Sequence, residues 1–118
     1  MASSFVIADA EPVPYDLEPG QAVAGAPVVA DANIWTAPDG SAIRGIWTCT
    51  PGAIRMTESE IFVVVEGRAT ITPEGGEPFD IAPGSAVILD RATPVVLQVH
   101  ETLRKCYHME LQPEAAAE

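Results

Sequence analysis

Glu60 heads an apolar run, residues 61–65, and shares strand parity with Phe62 and Val64. A carboxylate in an apolar lumen is desolvated, which favours its protonated form unless a cation pairs with it. Such a group can carry a proton as a general acid or base near neutral pH. The structural alternative for Glu60 is a carboxylate held by backbone N–H groups at a barrel rim, or paired with Arg55. Glu58 has the same parity one step further out, where solvation is the plain expectation. Arg55 carries the planar fork that grips a substrate carboxylate through two bonds, unless Glu58 or Glu60 takes it first. Lys105 and Tyr107 share one strand face, and Arg104 and His108 share the other. A cation and a phenol aimed inward suit binding an anion or protonating an enolate; the alternative is that Arg104 or Lys105 seals the barrel base by pairing with Glu101 or Glu110. Trp47, just before Pro51-Gly52, is either core packing or a flat platform for a ligand.

Other chemistries find less support. Two histidines, His100 and His108, could join Glu60 in a site of two imidazoles and one carboxylate, and they leave no histidine over. Cys49 and Cys106 lack CxxC spacing, so free thiols in a reducing compartment are expected. Gly75-Gly76 is followed by no helical pattern, so it is no phosphate loop. Lys plus Arg number 6 against 17 Asp plus Glu, and the formal net charge of −11 repels phosphate backbones and anionic lipid. Neither nucleic acid nor membrane is an expected partner. The N-terminus has no basic stretch followed by a long apolar run, and the expected location is cytoplasmic.

The elements that must position these residues are strands. Residues 1–30 are broken by Pro12, Pro14, Gly20, Gly25 and Pro27, which suits an extended arm. Strands are expected over residues 28–35, 42–50, 53–57 and 60–65, with Glu66-Gly67 turning the chain into another at 68–72. Residues 79–82 and 85–89 follow, the latter apolar enough to be buried on both faces. Two more strands, 95–100 and 102–111, flank a break near Glu101, and residues 113–118 have too little apolar content to dock. Short strands with turn signals between them, and no amphipathic helix, predict a single all-β domain, a sandwich or closed barrel over residues 31–112.

Glu60 followed at the seventh place by Gly67, then Pro83-Gly84 and an irregular segment from Asp90, resembles the two sequence motifs of the cupins. The stretches at residues 45–52 and 101–107 narrow this to small single-domain cupins related to ureidoglycine aminohydrolase and ethanolamine-utilisation cupins. The resemblance implies a jelly-roll barrel, or double-stranded β-helix, with the motif glutamate aimed into its cavity, often as a metal ligand beside three histidines. In this chain the first histidine pair falls on Ala53 and Arg55 or on Ile54 and Met56, and the second-motif histidine falls on Val95. Only Glu60 survives of the four ligand positions, so neither a metal nor another cofactor is expected.

These readings converge on a small-molecule-binding cupin. Its expected activity is a metal-independent lyase, isomerase or hydrolase acting on a small polar carboxylate, with Glu60 as proton carrier and Arg55, Trp47, Lys105 and Tyr107 binding substrate. A non-catalytic metabolite sensor, or a metal enzyme using Glu60 with His100 or His108, is the alternative. An arm of strand-like pieces adding to a neighbour's sheet would make a homodimer.

Overall fold

Period-two alternation dominates the last two-thirds of the chain, and it builds the two longest strands of the computed structural model, which describes residues 2–111. A 3-10 turn at Ile7–Asp9 is followed by β1 (Val13–Tyr15), β2 (Ala22–Ala24), β3 (Val29–Thr36), β4 (Ala42–Cys49) and β5 (Gly52–Met56). Then come β6 (Ser59–Pro73), β7 (Phe79–Ile81), β8 (Ala86–Leu89) and β9 (Val95–Glu110). No helix among the described residues is long and apolar enough to cross a membrane.

β6 and β9 lie antiparallel along their whole length, from Ser59 opposite Glu110 to Pro73 opposite Val95. Beyond β9, β4 takes the C-terminal half and β5 the N-terminal half; beyond β6, β8 takes the first half and β7 the second. The sheet curls about the β6–β9 pair into a jelly-roll barrel, and the inward residues of all these strands meet in one core. Phe62, Val64, Ile71, Leu97 and Leu103 are among its fully buried members.

The curl depends on an irregularity at Gly67. The β6–β9 register shifts on both sides of it, and the inward set changes from Glu60, Phe62 and Val64 to Ala69 and Ile71. Bulges of this kind bend a strand pair and increase its twist. Gly67 has φ +90°, and a Cβ there would collide with the Thr102 carbonyl. Glu66-Gly67 is therefore a bulge inside one strand and not the expected turn between two. The expected break near Glu101 is its counterpart on β9, which bends without ending because Glu101 faces Arg68 across the bulge.

One further expectation changes. β8 covers the barrel with one face only: Val87 and Leu89 point inward, whereas Ile88 is 80 % exposed. With Ile61 and Val63 of β6 it forms an apolar outer stripe. The arm folds back on its own barrel: β1 pairs with β3, and β2 pairs with β5. Arg104, on the outer face of β9, fastens the start of the arm by donating to the carbonyls of Ile7 at 2.7 Å and Ala10 at 2.9 Å. The expected fraying of residues 113–118 lies outside the described residues.

Gly67→Ala combines a left-handed backbone conformation with a backbone collision. It should cost at least about 1–3 kcal/mol, read as a lower urea midpoint with an unchanged slope. Unchanged stability would mean that the bulge is not tightly packed against β9.

Candidate functional site

Where the arm crosses the mouth of the barrel there is a cavity of about 480 Å³, within the range of small-molecule sites. The arm contributes Val13, Pro14, Tyr15 and Gln21; β3 contributes Asp31; β4 contributes Ile43 and Trp47. Ile54 and Met56 come from β5, Glu58 from the connection after it, Glu60 from β6, and Lys105, Tyr107 and Met109 from β9. Strand alternation explains the selection: every contributor from β9 is odd-numbered, and both from β5 are even-numbered.

At one wall the Lys105 ammonium lies 2.6 Å from Glu60 Oε2, with the two side chains 2 % and 0 % exposed. Its nitrogen sits 4.3 Å from the ring centroid of Trp47, its direct neighbour on β4, and 4.3 Å from that of Phe62. Removing two charges from water costs several kcal/mol per ion. Their mutual attraction offsets this, helped by the two ring faces, each contributing about 0.5–2 kcal/mol. The short contact is an ion pair without hydrogen-bond alignment, and neither Glu60 oxygen accepts a hydrogen bond from the described residues.

Two further pairs fix the aromatic walls. Tyr107 donates its hydroxyl proton to Asp31 Oδ1 at 2.6 Å, and Trp47 Nε1 donates to the Tyr15 hydroxyl oxygen at 2.7 Å. Gly45 faces Tyr107 across the β4–β9 ladder and leaves room for the phenol, since a Cβ there would stand 2.9 Å from its oxygen. Burial raises the Tyr107 phenol well above its usual range, and the hydrogen bond and charge of Asp31 raise it further. Burial also raises Tyr15, partly opposed by the Trp47 hydrogen bond. Both phenols therefore stay protonated under ordinary conditions. Glu58 accepts from the Thr57 amide at 3.1 Å.

The barrel brings together Glu60, Trp47, Lys105 and Tyr107, all singled out from the sequence, and it excludes Arg55. On β5 the inward places are Ile54 and Met56, so Arg55 points outward, 48 % exposed and 3.6 Å from Glu74. A substrate carboxylate thus loses one expected anchor to the outer surface and the other, Lys105, to Glu60. The histidines are also outside. His108 accepts a hydrogen bond at Nδ1 from Arg44 Nε at 2.9 Å, and His100 Nε2 lies 2.8 Å from Thr70 Oγ1. Their even numbers on β9 put them on the face opposite Lys105 and Tyr107, so the alternative site combining them with Glu60 does not form.

Sequence reasoning missed Asp31 and Tyr15. Strand parity with Val29 could have drawn attention to Asp31; Tyr15 reaches the cavity only because the arm folds back, which no local pattern encodes.

The metal implied by the cupin resemblance does not fit this donor set. Ile54 and Met56 occupy one of the two alternative placements of the first histidine pair, and an ammonium already holds Glu60. Among the described residues no three His, Cys, Asp or Glu are grouped to hold an ion.

Residues 36–107 match the family described as the EutQ-like cupin domain. A comparison with curated proteins finds no match. Among solved structures, a protein of unknown function from Rhizobium leguminosarum superposes with a TM-score of 0.67 and 22% identity, over 95% of this chain and 99% of its own. A protein of unknown function from Pseudomonas syringae gives 0.76 and 20% over 86% of this chain, which spans 45% of that protein. The EutQ protein of Clostridium difficile gives 0.62 and 16% over 72% of this chain and 69% of its own. At these identities the structural likeness is one of fold.

Lys105→Met leaves a buried carboxylate without its cation and should cost about 3–5 kcal/mol, whereas adding Glu60→Gln should restore most of the loss. Urea denaturation of the single and the double variant checks this, and a Lys105→Met protein as stable as the parent would mean that the pair contributes nothing.

Alkaline pH tests the buried acids. Burial pushes the Cys49 thiol up from 9.0 to about 11, and Tyr15 and Tyr107 shift in the same direction. A raised acid contributes stability that is complete below its unfolded value and lost as pH climbs towards its folded value. The urea midpoint should therefore hold level from neutral pH up to 9.0 and fall between there and about 11. A midpoint that stays level across that window would contradict the burial.

Proposed function

This chain belongs to the EutQ-like cupin family, and we propose that its barrel binds a small molecule and moves a proton on it without a resident metal. The observation that carries this reading is the ion pair of Glu60 and Lys105 in the cavity wall. The Glu60 carboxylate is a proton acceptor set directly against an ammonium, and that ammonium supplies the positive charge that stabilises negative charge developing on a substrate. Glu60 takes a proton from the ligand and returns it at another position, or to a leaving group. Lys105, its ammonium set against the Trp47 and Phe62 rings, holds the Glu60 side chain in one orientation. Tyr107 and Tyr15, kept protonated, fix the walls and offer hydroxyls to polar groups of the ligand. Isomerase and lyase chemistry, which need one proton acceptor and a stabilising charge, suit this arrangement best.

A non-catalytic metabolite-binding barrel is the second reading, favoured by the depth of the pair. Side chains 2 % and 0 % exposed can stiffen a wall without meeting a ligand.

A thermal-shift screen against a panel of small metabolites, followed by NMR of each binder in D2O, separates the two. The proton-transfer reading expects solvent deuterium in the ligand, or its conversion, with a rate at least about 100-fold lower in Glu60→Gln. The double variant Glu60→Gln/Lys105→Met, which strands no charge, should lose the activity equally and guards against simple misfolding. Binding with neither exchange nor conversion would leave the sensor reading, and absence of any binder would overturn both.

A further inference from the structure

The charges around the cavity select the class of ligand. Among the described residues, Asp31, Glu58 and Glu60 face it against one cation, Lys105, and that ammonium is already engaged by Glu60. Arg55, the other cation expected at the site, lies outside on Glu74. The wall thus carries two negative charges in excess, inside a molecule whose own formal charge is −11. A low-dielectric cleft concentrates a field of that sign, which excludes carboxylates and phosphates and draws in cations.

A second, independent observation is an unsatisfied acceptor. The Glu60 side chain is 0 % exposed, lines the cavity, and has at Oε1 no hydrogen-bond partner among the described residues. Leaving a buried acceptor unpaired is costly, and a ligand N–H arriving there would remove the cost. The aromatic walls favour the same sign, since ring faces attract cations. Trp47 already holds one ammonium, that of Lys105, at 4.3 Å.

The lining suits an organic cation better than a metal ion. No three His, Cys, Asp or Glu among the described residues are grouped to hold a metal ion, and Ile43, Ile54, Met56 and Met109 offer apolar surface that an ion would leave uncovered. We infer that the cavity takes a small organic cation, a primary ammonium on an apolar body, with an N–H directed at Glu60 Oε1 and its charge shared with Asp31 and Glu58. This rests on the small-molecule reading above and reverses the charge of the ligand expected from the sequence.

Benzylammonium, benzyl alcohol and benzoate are matched in shape and differ in charge. NMR titration of each, following the Met56 and Met109 methyl groups, tests the inference directly. Benzylammonium should bind at least about tenfold more tightly than benzyl alcohol, and benzoate should be the weakest. Glu58→Gln, near the mouth, where the side chain accepts from the amide of the neighbouring Thr57, should weaken benzylammonium about threefold or more and leave benzyl alcohol unchanged. Benzoate binding as tightly as benzylammonium would overturn the inference while leaving a small-molecule cavity in place. Failure of all three to shift the methyl groups would overturn the cavity reading with it. Benzylammonium preference in a protein that exchanges no ligand proton would keep the inference and remove the proton-transfer reading.

Discussion

A lysine ammonium and a glutamate carboxylate held 2.6 Å apart, both nearly sealed from water, set the terms for the rest of this barrel. Two buried charges are tolerated only where each is compensated, and every nearby element contributes to that compensation. The β4–β9 register puts Trp47 beside Lys105, β6 brings Phe62 to the other side of the ammonium, and the same strand carries Glu60. A one-residue slip of β9 would send Lys105 and Tyr107 outward and bring Arg104 and His108 into the cavity. The register of the sheet and the chemistry of the site are therefore one constraint.

That constraint also explains how a cupin barrel can be built on a different cation. The family pattern collects imidazoles and a carboxylate around a metal ion. In this chain the inward places on β5 are Ile54 and Met56, and the positive charge at the acid belongs to a covalently attached side chain. An ammonium cannot bind a substrate atom as a Lewis acid does, but it can stabilise an adjacent negative charge. The chemistry open to such a site is proton transfer and binding. The surplus of carboxylates around it then favours ligands of positive charge.

Much of this was legible in the sequence, because strand alternation is a local property. Parity alone grouped Glu60 with Phe62 and Val64, and Lys105 with Tyr107, and the structure keeps both groups inside. It failed where a strand's two neighbourhoods differ. Ile88 reads as buried from its apolar flanks, yet none of the described residues covers the outer face of β8 there. Arg55 could be placed on either face while the motif's first histidine pair could fall on Ala53 and Arg55 or on Ile54 and Met56, and only the pairing of β5 with β9 fixes it outward. Gly67 read as a turn because a glycine after an acidic residue signals one, whereas the bulge it makes is visible only against Thr102 on the opposite strand. The arm was least legible: three-residue strands gain their stability from the edges they join, so the position of Tyr15 beside Trp47 is a tertiary outcome.

The central claim is that Lys105, and not a metal ion, provides the positive charge at Glu60. Elemental mass spectrometry of protein purified without chelator and without a histidine tag measures this most directly. The account predicts transition-metal content far below one ion per chain. Metal approaching one ion per chain, and lost on Glu60→Gln, would contradict it, since Glu60 would then be a ligand and the ion pair would have to open to admit the metal.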